Sequence, residues 1–514
     1  MRGFAETFAR WGCLFDVLAW GIVNGFPYQQ PVPFDLPGPD GPPSHDSVVA
    51  EIGRRTATAA TAVESKIFRE LMDQWEGELK PAVVRRHREL ADVKFAELDH
   101  EGLVGHVTEC VEHMEELSYL HHRFNCTALV PPADFVLHVA EWLHEPPTAF
   151  FGVFDGYSPA SGVIAPEMAA AVDALGESSL GRGLLTGTGD PADRLDQLRE
   201  TVPAVDEWVH ATGFRLVDGF DITNLTALEC PEILLGRLAA ALAVDPDESR
   251  RRADAFAASV RGRIPEEHKA EFDELLADAR YVYRLRDERG IYSDVSGLGL
   301  LRWALLEVGR RLETAGRIYE RDHVFELDRT GLDAVLGGAA SPTADEVAEM
   351  AATRAALVER GAPRYLGPPP PDPPPMDQLP PPLGRVMSAI GFSIEGILGQ
   401  MEEAAGDDDC VVGIAANAGV YEGKVRLVSS ITELLDLEDG DVLVAPTTGE
   451  AFNSMIYLLG AIVTDHGSYV SHAAIVAREC GIPAVVGCTN ATSRLKNGQR
   501  VSVDGTTGEV RILA

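Results

Sequence analysis

The sequence predicts a multidomain protein: a mostly α-helical domain, a proline-rich linker, and a C-terminal α/β domain. Three observations carry this. Apolar residues recur at three- and four-residue spacing through most of 45–362. Proline clusters fill the segment from Gly367 to Gly384. Short β-branched runs separated by turns follow it. The first pattern is helical, the second excludes regular structure, and the third alternates strands with short helices.

Residues 1–44 read as an N-terminal segment packing on the helical domain. Its apolar run from Trp11 to Phe26 is broken by Asp16 and Asn24, too short and too interrupted to span a bilayer. No secretory leader is expected after Met1-Arg2, where Gly3-Phe4-Ala5-Glu6 follows. Gln29 to Ser44, rich in proline and glycine, reads as a loop. Within 45–362, helices are expected over Arg54–Leu79, Pro81–Leu98, Glu101–Leu120, Gly297–Leu312 and Thr343–Glu359. Phe151-Gly-Val-Phe154 alternates like a short strand. Gly181-x-Gly183 and Gly187-x-Gly189 lack the lysine and Ser/Thr of a phosphate-binding loop and are expected to form a plain loop.

The linker, 363–384, contains Pro368–Pro371, Pro373–Pro375 and Pro380–Pro382, which favour a stiff polyproline II spacer. Such segments also serve as docking ligands; beside a domain that must travel, the spacer reading is preferred. In the last domain, 385–514, strands are expected at Val425–Val428, Asp441–Ala445, Ala461–Thr464, Ala484–Val486, Arg500–Val503 and Val510–Leu513, with helices at Ile431–Asp436 and Ser471–Arg478. Asp407-Asp-Asp409 reads as a solvated acidic turn rather than a metal site, because three consecutive carboxylates do not converge easily on one ion.

At 514 residues the chain has room for two to four domains. Its formal net charge of −36 argues against nucleic acid and anionic membrane as partners. The seven cysteines, at 13, 110, 126, 230, 410, 480 and 488, contain no C-x-x-C pair, as expected of reduced thiols in a cytoplasmic protein.

One histidine stands out. Gly467-Ser-Tyr-Val-Ser-His472-Ala-Ala-Ile-Val-Ala-Arg478 sets His472 where a glycine-led turn enters an alanine-rich helix. Helix-start N–H groups and the positive dipole end favour a bound phosphate, and neutral imidazole is a competent nucleophile near pH 7. The residues point to a histidine that becomes phosphorylated.

Residues 410–514 resemble the phosphohistidine swivelling domain of the phosphoenolpyruvate-utilising enzymes. The resemblance rests on Asp441–Pro446, Val463–Asp465, Ser471–Ala474, Arg478-Glu479, Gly481–Gly487 and Val503–Gly505. It implies that His472 carries the phosphoryl group, with Ser471, Arg478 and Gly467 supporting the phosphate. Ser468 and Val470 replace the family's usual glycine and threonine, so regulation through that threonine is not expected.

The helical region resembles the substrate-binding domain of rifampicin-phosphotransferase-type enzymes at Trp20–Tyr28, Gly183–Asp190, Leu285–Tyr292 and Leu300–Leu312. The resemblance makes Arg286 a candidate for holding the donor phosphate or a substrate oxygen; an ion pair with Asp287 or Glu288 is the other reading. His121 and His122 are candidates for a general base, or are buried structural histidines. Gly290 and Ile291 stand where the family has polar residues, which implies a different substrate pocket.

No ATP-grasp or barrel pattern is legible, and lysine occurs only at Lys66, Lys80, Lys94, Lys269, Lys424 and Lys496. The resemblance therefore implies a two-component layout like that of the phenylphosphate synthases. A separate ATP-grasp subunit would bind ATP and Mg²⁺ and load His472, and the carrier would pass the group to a small, phenolic hydroxyl compound. This chain itself is expected to bind no metal or cofactor. Phe151, Phe154, Tyr157, Tyr281, Tyr283 and Trp303 suit an aromatic acceptor or are ordinary core. The competing readings are an antibiotic or natural-product phosphotransferase, a phosphorylation-dependent dehydratase, a phosphoenolpyruvate-synthase-like component, and a non-catalytic interaction module.

Overall fold

The computed structural model describes residues 2–37, 41–158, 166–217, 219–243, 245, 247–363, 366–367, 375–398, 409–434, 436–449, 452, 455–469 and 471–513. It is mostly helical, with an α/β sheet at the C-terminal end. Two compact units emerge: Met1–Cys126 with Phe220–Asn224 and Tyr292–Met387, and Thr127–Gly219 with Leu225–Ile291 and Ser388–Ala514. The helical stretch thus contributes to both.

In the first unit, the helix Arg2–Trp11 buries Phe4, Phe8 and Trp11 and packs on the helix His100–Arg123. Asp99 caps the latter by accepting from the Gly102 N–H. The apolar run beyond Trp11 forms an antiparallel hairpin, β1 (Phe15–Val23) and β2 (Phe26–Pro33). Asn24 and Gly25 turn it, both at positive φ, which asparagine and glycine tolerate best. The expected loop therefore begins only after Pro33. The helix Ala344–Arg360 opens on a capping box between Thr343 and Glu346.

The second unit holds an eight-stranded sheet in the order β3-β10-β9-β5-β6-β7-β8-β4. The strands are β3 (Cys410–Val412), β4 (Ile414–Asn417), β5 (Val420–Leu427), β6 (Asp441–Ala445), β7 (Leu459–Thr464), β8 (Ala484–Val486), β9 (Arg500–Asp504) and β10 (Glu509–Ile512). β5 to β8 pair in parallel and the rest antiparallel. Every residue of β6 and β8 is buried, as the unbroken apolar runs of parallel strands require. The helix His472–Cys480 crosses over from β7 to β8. Its Ala473, Ala474, Val476 and Ala477 share one core with Ile414, Ala416, Ile462 and Val486 of the sheet and with Trp208, Ile233 and Leu234 of the helices. Each fully buried valine or leucine there contributes about 1.5–3 kcal/mol of transfer free energy.

Three local expectations need correction. Phe151–Phe154 is not a strand but part of a 3₁₀ helix, Pro147–Phe154, whose aromatic rings enter a core instead of alternating across a sheet. Gly181 and Gly183 lie in the helix Ser179–Thr186, capped by Ser178, rather than in a loop. Pro381 and Pro382 open the helix Pro381–Leu398, where proline's missing N–H costs nothing. The prolines at 368–371, 373 and 374 lie outside the described residues, as do Asp407, Asp408 and Val470.

Candidate functional site

Thr448 and His472 leave the carboxyl ends of β6 and β7, which are neighbours and parallel. That edge is where loops of parallel sheets gather functional groups. Gly467 begins the turn to His472 at φ +136°, and a Cβ there would meet Ser471 Oγ at 2.9 Å. Ser471 is the N-cap: its Oγ accepts from the Ala474 N–H at 3.4 Å and donates to the Ser468 carbonyl at 2.8 Å. His472 is therefore the first residue of the helix, directly after its cap.

The imidazole has two distinct nitrogens. Nδ1 lies 2.9 Å from Thr448 Oγ1. Nε2 is buried and has no hydrogen-bond partner among the described residues. With the proton on Nδ1 donated to Thr448, the Nε2 lone pair is left for chemistry. Burial pushes the His472 pKa down to about 4, Asp287 opposing and Arg286 and Arg237 assisting. The ring is thus neutral and nucleophilic at pH 7.

Charged groups on its own helix and on other helices of the same unit interact with one another. Arg478 Nε lies 3.3 Å from Asp155 Oδ1, and its Nη1 donates to the Tyr469 carbonyl at 2.8 Å. Ser158 Oγ donates to Asp287. Burial pushes the Glu479 carboxyl up to about 8, Asp155 and Asp287 adding to the shift. The Glu479 carbonyl accepts from Ser249 Oγ at 3.1 Å and from Arg252. Burial also raises Asp155, against the pull of Arg478.

A small apolar cavity of about 30 Å³ lies in this unit, lined by Phe151, Tyr283, Arg286, Phe392, Ser393 and Tyr469 among others. Of the six aromatic residues singled out in the sequence, Phe151 and Tyr283 line it; Phe154 stacks on Tyr283 at 4.6 Å. Arg286 is one of its few polar groups. Glu288 pairs with Arg284 at 3.2 Å.

Among the predicted site residues, the second unit therefore holds His472, Ser471, Arg478, Gly467 and Arg286. His121 and His122 belong to the first. There His121 Nδ1 lies 2.5 Å from Asp294 Oδ2, and His122 stacks on Phe4 at 4.1 Å. Thr448, Asp155 and Arg237 were not singled out by sequence. Thr448 sits in Pro446-Thr-Thr-Gly449, an ordinary loop in sequence terms, and only the strand register brings it to His472. Among the described residues there is no cluster of three or more histidine, cysteine or carboxylate ligands, and no helix long and apolar enough to cross a membrane. All seven cysteines are free thiols.

Residues 437–508 match the family model of the mobile domain of the PEP-utilising enzymes. A rifampicin phosphotransferase of Streptomyces sviceus is 27% identical over 351 residues, covering 64% of this chain and 37% of that protein. That span exceeds the whole C-terminal domain, so the likeness runs into the helices. Chondramide synthase of Chondromyces crocatus is 30% identical over 276 residues, 52% of this chain and 7% of the synthase. A phosphoenolpyruvate synthase of Neisseria meningitidis is 48% identical over 97 residues, 19% of this chain and 12% of the synthase. The chain thus spans well under half the length of these relatives.

Proposed function

We infer, from a segment that belongs to the mobile domain of the PEP-utilising enzymes, that this chain is a phosphohistidine carrier joined to its acceptor domain. The observation that carries the reading is the imidazole itself: Nδ1 fixed by Thr448, Nε2 unpartnered, and a pKa pushed down to about 4.

In the loading step the Nε2 lone pair attacks a donor phosphorus; an N–P bond forms as the donor's P–O bond breaks, and its electron pair leaves with the donor oxygen. In the discharge step an acceptor oxygen attacks the same phosphorus. A P–O bond forms, the N–P bond breaks, the electron pair returns to Nε2, and the acceptor's proton passes to a base. Arg286 and Arg237, whose charges are felt at His472, would offset the phosphoryl charge. Asp287, whose charge is felt at His472, is the base to test within the same unit.

The donor proposed is Mg-ATP on a separate ATP-grasp subunit, and the acceptor a small phenol in a cytoplasmic two-component enzyme. Phe151 and Tyr283 beside Arg286 support an aromatic hydroxyl compound. A natural-product hydroxyl is the second reading, favoured by the 351-residue likeness to the rifampicin phosphotransferase.

Intact-mass analysis at neutral pH tests the core of this. With an ATP-grasp partner and Mg-ATP, the chain should gain about 80 Da, the mass of one phosphoryl group. His472→Ala should gain nothing. Labelling that survives His472→Ala, or labelling absent with every partner, would overturn the carrier reading.

A further inference from the structure

Tyr469 stands three residues before His472 on the turn that presents it, and its side chain has no part in the transfer described above. Its ring lies parallel to that of Phe151, at 6° and 6.5 Å between centroids. Phe151 in turn lies parallel to Phe392, at 10° and 6.1 Å. All three line the cavity that also receives Arg286. The Tyr469 hydroxyl bonds to Thr148, at the start of the 3₁₀ helix that bears Phe151. The carrier's own turn thus supplies one wall of a cavity whose other walls come from the helices.

The space left is about 30 Å³, room for a water but not for an aromatic ring. A ring-bearing acceptor enters only where one of the lining rings gives way, and of these Tyr469 is the one close to His472 in sequence. Meanwhile the Tyr469 backbone is fixed independently of its ring: its carbonyl accepts from Arg478, which pairs with Asp155. Backbone position and ring size are therefore separable at this residue.

We propose that Tyr469 is the specificity residue of the acceptor site, a wall carried in with His472 that sets which acceptor rings are admitted. This rests on the reading of the cavity as the acceptor pocket. The sequence offers a reason to look here: between Gly467 and His472 it places one large aromatic residue in a turn otherwise made of glycine, serine and valine.

The test uses the full chain, loaded at His472 with potassium phosphoramidate so that no partner is needed. Phenol and 4-phenylphenol are compared as acceptors for Tyr469→Ala, Tyr469→Phe, Tyr469→Trp and the unaltered chain, reading loss of acid-labile phosphate. Binding of 4-phenylphenol to the unloaded chain is measured in parallel by saturation-transfer NMR. Tyr469→Ala should raise the 4-phenylphenol to phenol discharge ratio by about tenfold, Tyr469→Trp should lower it, and Tyr469→Phe should leave it within about twofold. Discharge with one unchanged ratio in all four proteins overturns the proposal while the phenolic reading stands. No discharge anywhere, but binding about tenfold tighter in Tyr469→Ala, upholds the wall and removes the phenolic acceptor. Neither discharge nor altered binding overturns both. Should phosphoramidate fail to load His472, the binding comparison decides the proposal alone.

Discussion

Thr448 Oγ1 and His472 Nδ1 lie 2.9 Å apart although 24 residues separate them in sequence. Where the Nδ1–H donates to that hydroxyl, the free lone pair stands at Nε2. Thr448→Val keeps the shape and removes the hydroxyl, leaving a buried N–H without its acceptor. A neutral hydrogen bond is worth about 1 kcal/mol, so loading of His472 should slow by about fivefold. Thr448→Ser should retain most of the rate. The check is the initial rate of acid-labile labelling; equal rates in all three would deny Thr448 a role.

Because burial holds His472 to a pKa of about 4, the ring stays neutral where a free histidine becomes charged. Its chemical phosphorylation should be flat from pH 7 to about 5, while a free imidazole loses reactivity below its ordinary pKa near 6.5. The same shift favours the folded state above pH 6.5, an advantage lost as pH falls towards 4. A labelling rate that halves near pH 6.5 would show the ring to be solvated.

Glu479 works in the opposite sense. Its carboxyl is raised from 4.5 to about 8, so the folded state retains a proton that the unfolded chain has released. The stabilisation is complete below pH 4.5 and disappears as pH rises through 8. Glu479→Gln mimics the protonated form and should flatten the decline of melting temperature between those values. An unchanged pH profile would mean that burial beside Asp155 and Asp287 does not hold the proton there.

Arg478 and Asp155 form a largely buried pair, with side-chain exposures of 8% and 14%. Removing one partner strands the other, at a cost of about 3–5 kcal/mol. Arg478→Ala and Asp155→Ala should each destabilise the second unit by that order in urea unfolding. The double variant should cost clearly less than their sum, the signature of coupling. Additive losses would reduce the pair to two independent contacts.

Capping gives a smaller, cleaner test. Ser471→Ala should cost about 1 kcal/mol and leave Ser471→Thr near the native value, read from thermal unfolding of the unphosphorylated chain.

Much of this was legible in the sequence. The strands announced themselves as unbroken apolar runs, Asp441–Ala445 and Ala461–Thr464, and the helix followed from the glycine-led turn and the alanines after His472; their parallel pairing did not. What sequence spacing could not carry was anything depending on register. Thr448 is one of two threonines in an unremarked loop until β6 and β7 align. Asp155 meets Arg478 across 323 residues. The hairpin of β1 and β2 is a different case: Asn24-Gly25 is a strong local turn signal, but the runs beside it carry Asp16, Pro27 and Pro31, which blur the strand pattern. Phe151–Phe154 misled because a four-residue alternation suits a 3₁₀ turn with buried rings as well as a strand.

The enclosed Nε2 of His472 bears on time as well as on reactivity. An N–P bond made at that atom would have its nitrogen out of contact with water, while in-line attack would arrive at the opposite face of phosphorus. How long such a bond lasts would then be set by what covers that opposite face, so the lifetime of a labelled chain in plain buffer becomes a measure of how well the acceptor side excludes water.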